Sequence, residues 1–481
     1  MKLSSARLCL VIQALVSIVA ATPLSGAANQ PKQYFAASPF VDLGYHFNGK
    51  NLTVSWLTED PQINNIDFEY KKYSAPDWKK ATLTKNSVNG HPELTLVSAE
   101  MNELPADTII AYKISKDKKD LFQASTQSLP APDGAVNFAV IGDVGEGSEA
   151  EAKIAEQMKL KEPSMQIIVG DIVYPIGSVR NYLHNFFPFM NQEGGRAKGA
   201  SELQSTISVA VAGNHDLTTG GGIDARDLDS ASDSLAYFTL WKQPLNGPAL
   251  PGPANICQPR GSKERIADFL KAAGEAFPRM TNFSFDYGNC HVLVLDANEY
   301  MNWTDETLRK WVDSDLSASK SRWKIVAFHQ PGFNSDWAHR EEQRMRHLSD
   351  IFEKNNVDVV FSGHSHSYQR SYPLFFKEVA APSEDREAKA GYVYGTFKLD
   401  KAFDGDKNRK PHGVIYIVTG AGGAHLSGGN MENEPGQWLP FTKKFSSKHH
   451  SFTFCHLDKD RFVAQQIAED GSVLDQFTIE K

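Results

Sequence analysis

Five short polar clusters punctuate the chain in a fixed order: Gly142-Asp143-Val144-Gly145, Gly170-Asp171-Ile172-Val173-Tyr174, Gly213-Asn214-His215-Asp216, Val326-Ala327-Phe328-His329 and Gly363-His364-Ser365-His366. Carboxylates, imidazoles, an amide oxygen and a phenol make up their donors, and no cysteine is among them. That mixture suits harder or borderline cations such as Fe(III), Mn(II) and Zn(II) and disfavours soft thiolate sites. A carboxylate can bridge two cations about 3.5–4 Å apart, the separation at which a metal pair clamps the attacking and leaving oxygens of a displacement. Asp171, central in the series, is the expected bridge.

Each cluster alone has an ordinary reading. Gly-Asp after a strand is common at turns, because Asp bonds neighbouring backbone and Gly accepts positive φ. Asn214, His215 and Asp216 follow the wholly apolar Val209-Ala210-Val211-Ala212; three such residues are costly there unless something at the sheet edge satisfies them, though a capped turn would also do so. His364 and His366 can address neighbouring metals if the chain turns at Gly363, or form a plain histidine pair. Order and position lift the set above its members. Each cluster ends an apolar, often β-branched run, so the side chains can converge at one edge of a sheet.

The elements that must position them come in two styles. From roughly Gln30 to Ser128 the chain reads as all-β, with Leu52-Thr53-Val54-Ser55-Trp56-Leu57, Ile66-Asp67-Phe68-Glu69-Tyr70, Leu94-Thr95-Leu96-Val97 and Ile109-Ile110-Ala111-Tyr112-Lys113-Ile114 between turn signals. An early core Trp and this strand spacing fit an immunoglobulin-like or fibronectin type III-like sandwich over residues 28–130. Pro130-Ala131-Pro132-Asp133-Gly134 is the expected boundary.

Beyond it, over residues 134–481, strands alternate with helices. Buried strands are expected at Phe138 to Ile141, Gln166 to Val169, Ser208 to Ala212, Val292 to Leu295, Lys324 to Phe328 and Val357 to Phe361. Helical periodicity runs over Ser148 to Leu160, Glu264 to Ala276, Thr304 to Ser317 and Arg340 to Lys354, with Ser148 and Thr304 as N-caps. The pattern predicts an α/β layered domain. Strands return at Val414 to Val418, Ser451 to His456, Phe462 to Ile467 and Val473 to Ile479, where they should complete a second sheet. Thr218 to Gln258 and Val379 to Pro411 read as surface insertions.

Composition bounds the function classes. At 481 residues, two domains are the default expectation. The first 27 residues read as an export signal, with Lys2 and Arg7 ahead of the apolar Leu8 to Ala21 and small residues at Ser25-Gly26-Ala27. Its removal takes the formal net charge from −8 to −10. An acidic chain without a block of Lys or Arg offers no nucleic-acid groove, and no apolar run beyond the N-terminus is long enough to span a bilayer. Any anionic substrate must be attracted locally, by metal. Cys257, Cys290 and Cys455 remain, and their spacing leaves open one disulfide or none. Asn51, Asn282 and Asn302 head glycosylation sequons that matter only in a host that glycosylates.

Taken together, Gly-Asp-x-Gly, Gly-Asp-x-x-Tyr, Gly-Asn-His-Asp, Val-x-x-His and Gly-His-x-His resemble the motif series of the purple acid phosphatases, within the calcineurin-like metallophosphoesterases. The likeness spans nearly the whole mature chain and implies a four-layer α/β (α+β) domain of two packed mixed sheets flanked by helices, behind the β-sandwich. It implies that Asp143, Tyr174 and His366 hold Fe(III), that Asn214, His329 and His364 hold a divalent ion (Zn, Fe or Mn), and that Asp171 bridges them. Hydroxide generated on the metals would attack phosphorus in line. His215 is the first candidate to bind phosphate or protonate the leaving group, with support of a ligand as its other role. Plant-like relatives often carry two adjacent histidines shortly after Val-x-x-His; here Ala338 precedes a single His339, so the proton donor is the least defined member of the site. Tyr368 and Arg370 can line a phosphate pocket or serve the sheet edge.

The expected activity is that of a secreted acid phosphatase, extracellular or periplasmic in a bacterium, acting on small phosphorylated substrates. A phosphodiesterase or nucleotide pyrophosphatase on the same site is the alternative reaction. A secreted binding protein built on an inactive scaffold is the alternative class.

Overall fold

Val136–Ile141, Met165–Ile168 and Ile207–Ala210 pair in parallel register with nearly every side chain buried, the pattern of strands covered on both faces. The computed structural model describes residues 34–60, 64–192, 199–220, 223–381 and 391–481. The export segment expected at residues 1–27 lies outside the described residues.

The three strands centre a ten-stranded sheet, in which Val473–Glu480, Arg461–Ala468 and Ser451–Leu457 lie on one side and Ala37–Asp42, Leu52–Thr58, His91–Met101 and Leu83–Val88 on the other. A seven-stranded sheet runs Phe283–Tyr287, Cys290–Val294, Trp323–Ala327, Val359–Ser362, Ile415–Thr419, Tyr368–Ser371 and Thr442–Ser446. The two sheets face each other through a shared core that includes Val140, Ile167 and Val209 from one and Val292, Ile325, Val359 and Ile417 from the other. Each such side chain removed from water stabilises the fold by about 1.5–3 kcal/mol. Helix Glu149–Lys161 covers the outer face of the first sheet with Ile154, Ala155 and Met158. Glu306–Ala318 covers the second with Leu308, Val312 and Leu316. The result is the expected layering of helix, sheet, sheet and helix.

Several expectations are corrected. The strands Ser451–Leu457, Arg461–Ala468 and Val473–Glu480 join the first sheet, because Ser451–Leu457 pairs antiparallel with Val136–Ile141; only Ile415–Thr419 enters the second. Asp305, rather than Thr304, caps Glu306–Ala318, since its carboxylate accepts both Thr307 N–H and Leu308 N–H. Over Arg340 to Lys354 only Arg344–Leu348, as a 3-10 helix, and Ser349–Lys354 are helical. The residues before them turn instead, with the Asp336 carbonyl accepting from His339 N–H and Arg340 N–H. Thr218 to Gln258 is no surface insertion, for Leu228, Tyr237, Phe238, Leu240 and Trp241 are core residues. Cys257, Cys290 and Cys455 are buried free thiols. Asn51 and Asn282 are buried, which leaves Asn302 as the exposed sequon residue.

The N-terminal strands form two sheets packed through Trp56 of one on Phe68 of the other at 6.2 Å, and Phe68 stacks in turn on Tyr112 of its own sheet at 5.7 Å. Lys79–Lys80, Ile66–Lys72, Ile109–Lys116 and Lys119–Gln127 form the second of them. The first runs straight into the ten-stranded sheet through the parallel pairs Val41 with Ile207 and Asp42 with Ser208.

One buried charge on the second sheet has a measurable pH signature. The His291 ring lies between Asp286 (Nδ1 to Oδ1, 2.8 Å) and Asp315 (Nε2 to Oδ2, 2.8 Å). Burial disfavours the imidazolium, but the hydrogen bonds and charges of Asp286 and Asp315 outweigh it and raise the pKa to about 9. A folded pKa above the unfolded value gives stability that is complete below about pH 6.5 and lost as pH rises through 9. Thermal melts should therefore show a loss of about 2 kcal/mol between pH 6.5 and pH 9.5. His291→Gln should remove that part of the slope, and an identical slope in the variant would refute the assignment.

Candidate metal centre

The strand ends deliver the donors. Asp143 follows Val136–Ile141, Asp171 follows Met165–Ile168, Asn214 follows Ile207–Ala210, His329 follows Trp323–Ala327 and His364 follows Val359–Ser362. Three of these residues sit in the left-handed region, with φ of 58° at Asp143, 46° at Asp171 and 68° at His364. Such backbone costs about 1–3 kcal/mol per residue and persists only where its surroundings hold it. Here the motif residues tie one another down: Asp143 Oδ2 accepts from His364 N–H at 2.8 Å, and Asp171 Oδ1 accepts from His215 N–H at 2.8 Å. Gly170 must be glycine, since a Cβ there would lie 2.5 Å from His329 Nδ1 and its φ is +84°.

Two groups of donors share Asp171. In the first, Tyr174 Oη stands 2.9 Å from Asp143 Oδ1, 3.1 Å from Asp171 Oδ2 and 3.0 Å from His366 Nε2. His366 Nε2 stands 3.4 Å from Asp143 Oδ1. In the second, His329 Nε2 lies 3.1 Å from Asn214 Oδ1 and 3.2 Å from Asp171 Oδ2. Asp171, His329 and His364 each bring a ligand atom within 4.8 Å of the others. Ligands bonded at about 2.0–2.2 Å to one cation stand about 2.9–3.5 Å apart, the spacing of the Tyr174 group and of the Asn214, His329 and Asp171 atoms, with His364 at the edge of the second group. All seven expected ligands are brought together.

The remaining atoms of these side chains orient them. His329 Nδ1 donates to the Val169 carbonyl at 2.8 Å and His366 Nδ1 to the His425 carbonyl at 2.7 Å, which leaves each Nε2 as the free donor for a metal. Asn214 Nδ2 donates to the Gly220 carbonyl at 2.8 Å, so its oxygen faces inward. Asp216 is no ligand: its carboxylate accepts from Gly213 N–H at 2.8 Å and Ile172 N–H at 3.1 Å and pins two motif loops together.

The electrostatics call for cations. Burial and the neighbouring Asp143 and Asp171 carboxylates push the Tyr174 phenol well above its ordinary range. Burial opposes charge on His329 and His366 too, yet the same carboxylates raise them to about 10 and about 9. Protons on His329 and His366 would compete with a cation for the same Nε2 atoms. The donor set, hard oxygens and imidazoles with no thiolate, fits two hard or borderline ions.

His215 and His339 flank the ligands. His215 Nδ1 is fixed on the Pro175 carbonyl at 2.8 Å, its ring packs 4.6 Å from the Tyr174 ring, and its Nε2 lies 4.0 Å from Asp171 Oδ2. The His339 ring sits 4.0 Å from the His364 ring. Glu342, which the motif series does not contain, joins the two: Oε1 meets His339 Nδ1 at 2.9 Å and Oε2 meets His364 Nε2 at 3.0 Å. Its only sequence signal is a carboxylate three residues after His339. Tyr368 and Arg370 do not line the centre. Both bond Asp475, at 2.8 Å from Tyr368 Oη and at 2.6 and 3.0 Å from the Arg370 guanidinium, and so tie the second sheet to the last strand of the first.

The chain resembles several known proteins. Residues 136–368 match the calcineurin-like phosphoesterase family. Phosphoenolpyruvate phosphatase of Allium cepa is 25% identical over 352 residues, 72% of this chain and 65% of that protein. Purple acid phosphatase 22 of Arabidopsis thaliana is 33% identical over 337 residues, 66% of this chain and 64% of that protein. The chain thus spans a little under two thirds of the length of these relatives. Among solved structures, GAP50, the anchor in the inner membrane complex of Plasmodium, is 13% identical with a TM-score of 0.42, covering 72% of this chain and 89% of that one. With the motif series and the donor geometry, the family match identifies a calcineurin-like metallophosphoesterase domain at residues 136–368, whose relatives include purple acid phosphatases.

Proposed function

We propose that the protein is a secreted acid phosphatase that hydrolyses small phosphate monoesters at a centre of Fe(III) and a divalent ion, Zn, Fe or Mn. The observation that carries this reading is the convergence of seven donors in two groups sharing Asp171, with Tyr174 in one of them. Asp143, Tyr174 and His366 would hold the ferric ion, and Asn214, His329 and His364 the divalent one. Bound there, the pair would supply Lewis acidity and a nucleophile at acidic pH. Residues 28–130 belong to the proposal as a fibronectin type III-like module, residues 134–481 as the catalytic domain, and residues 1–27 as the export signal. Among the described residues no helix is long and apolar enough to cross a membrane.

The chain's own residues divide the remaining work. With Nδ1 bound to the Pro175 carbonyl, His215 presents Nε2 beside Asp171, where, as the imidazolium, it can donate to a phosphate oxygen. Glu342 holds His339 by Nδ1, so its Nε2 can carry the proton that the departing alkoxide requires. Glu342 orients rather than reacts, and it fixes the donor relative to the ligand His364. Phosphomonoester against phosphodiester turnover at pH 5, with metal-loaded protein, tests the reading; equal or faster diester turnover would overturn it.

The two histidines should separate kinetically. His339→Ala should lower kcat on an alkyl phosphate by about 10²-fold and on 4-nitrophenyl phosphate far less, because a good leaving group needs no proton. His215→Ala should act mainly through KM. An equal fall on both esters would remove His339 as the donor.

A further inference from the structure

His339 sits on no strand or helix. It lies in turns between Trp323–Ala327 and Arg344–Leu348, so its place relative to the metal ligands depends on what braces those turns. A proton donor needs such bracing, because a misplacement of about 1 Å can cost on the order of 10²-fold in rate. Glu342 supplies one brace, between His339 Nδ1 and His364 Nε2. Asp336 supplies another.

Asp336 lies three residues before His339 and is 2% exposed. It closes the turn with both backbone and side chain: its carbonyl accepts from His339 N–H at 3.3 Å and Arg340 N–H at 3.0 Å, and its Oδ1 accepts from Ala338 N–H at 3.2 Å. Oδ2 reaches away from the turn and accepts from Ser365 Oγ at 2.9 Å and from Ser427 Oγ. Those two hydroxyls belong to the frame of the metal centre. Ser365 stands between His364 and His366. Ser427 donates its N–H to the His366 carbonyl at 2.9 Å, two residues after His425, whose carbonyl receives His366 Nδ1 at 2.7 Å. One carboxylate thus joins the turn of His339 to the ligand loop and to the segment that orients His366.

The joint is stiff. Asp336 N–H donates to Asn334 Oδ1 at 2.9 Å. Gln369 Nε2 donates to that same oxygen at 2.6 Å and to Ser365 Oγ at 3.2 Å, while Gln369 Oε1 accepts from Ser335 N–H at 2.8 Å. All of these side chains except the half-buried Ser427 are buried. Burying a carboxylate is costly unless its oxygens are paired, and here donors meet both. Hydrogen bonds to a carboxylate are roughly twice as strong as neutral ones, which lets one residue brace three segments. We infer that Asp336 is a positioning residue: it holds His339 in register with His364 and His366, and delivery of a proton to the leaving group depends on that hold. The inference rests on the phosphatase reading, with His339 as its proton donor, and adds the group that aims the donor.

The metal-loaded full chain tests it on glycerol 2-phosphate and 4-nitrophenyl phosphate, which differ in their need for a proton. Asp336→Ala should lower kcat on the alkyl ester by about tenfold or more and on the aryl ester by less than about threefold, with KM and metal content unchanged. Asp336→Asn should recover most of the loss, because its oxygen can accept from Ala338 N–H and its NH₂ can donate to hydroxyls that accept as well as donate. Added to His339→Ala, Asp336→Ala should cost nothing further, since a residue acting through another has no effect once that other is gone. Amide exchange over residues 338–343 should quicken in Asp336→Ala, while helix Glu149–Lys161 keeps its protection. Should Asp336→Ala fail to fold, Ser427→Ala, which removes a single half-buried hydroxyl, decides on the same two esters, with the same pattern at about threefold. An equal fall on both esters, a further loss in the double variant, or unchanged exchange with unchanged kcat would overturn the inference and leave the phosphatase reading intact. If wild type turns over neither ester, the phosphatase reading fails, and exchange alone decides whether Asp336 holds the turn.

Discussion

Asp171→Asn is expected to abolish stoichiometric loading of two metals and to lower phosphomonoester turnover by on the order of 10³-fold or more. The two oxygens of Asp171 do different things. Oδ1 accepts from His215 N–H at 2.8 Å and holds the loop, whereas Oδ2 faces both donor groups, 3.1 Å from Tyr174 Oη and 3.2 Å from His329 Nε2. An amide can keep the first contact through its oxygen. Its NH₂ then points where positive charge must sit, and it can neither bridge nor bind. The variant should therefore fold, with a melting temperature near that of the wild-type apoprotein, yet bind metal poorly. Metal analysis and hydrolysis on the same preparation check this. Unchanged metal content with unchanged turnover would remove Asp171 as the bridge, and a metal-loaded wild type without hydrolysis would favour the binding-protein class.

Most of the site was legible in the sequence because strand ends are. An apolar run such as Val209-Ala210-Val211-Ala212 can only be buried, and the polar residues that stop it must then find partners at the edge of a sheet. The motif residues inherit that logic, which locates them without any knowledge of which strands are neighbours. Glu342 lacks it. It sits in turns ahead of Arg344–Leu348, where the helical spacing of Arg340 to Lys354 misled, and its partners His339 and His364 are close only after folding. Periodicity marks a strand but not its partner, and so it does not reveal that Ser451–Leu457 pairs with Val136–Ile141, over three hundred residues earlier. Nor does it reveal the join between the N-terminal strands and the rest of the ten-stranded sheet, which rests on two parallel pairs at Val41 and Asp42. Gly- and Asp-rich composition made Thr218 to Gln258 look superficial, although its aromatic residues Tyr237, Phe238 and Trp241 fill the core under the first sheet.

Tyr174→Phe is expected to separate iron from the rest of the site. The ring is buried and its backbone is independently held, with N–H donating to the Gly145 carbonyl at 2.8 Å and the carbonyl accepting from Asn185 Nδ2 at 2.9 Å. Phenylalanine keeps those contacts and the packing against His215. What disappears is one oxygen, 2.9–3.1 Å from Asp143, Asp171 and His366. Phenolate is a hard anionic donor that favours a trivalent ion over a divalent one and gives Fe(III) its visible charge-transfer absorption. Affinity for Fe(III) should fall by at least about 100-fold, a loss at the upper end of what outer-shell partners alone produce, and the visible band should vanish. Binding of divalent ions by Asn214, His329, His364 and Asp171 should persist, because none of those side chains is bonded to the Tyr174 hydroxyl except Asp171, which keeps its contacts with His215 and His329. Iron content and visible spectra of the purified variant and wild type measure both effects. Equal iron and an equal spectrum in the variant would take Tyr174 out of the ligand set and reduce the proposed centre to that of a generic metallophosphoesterase.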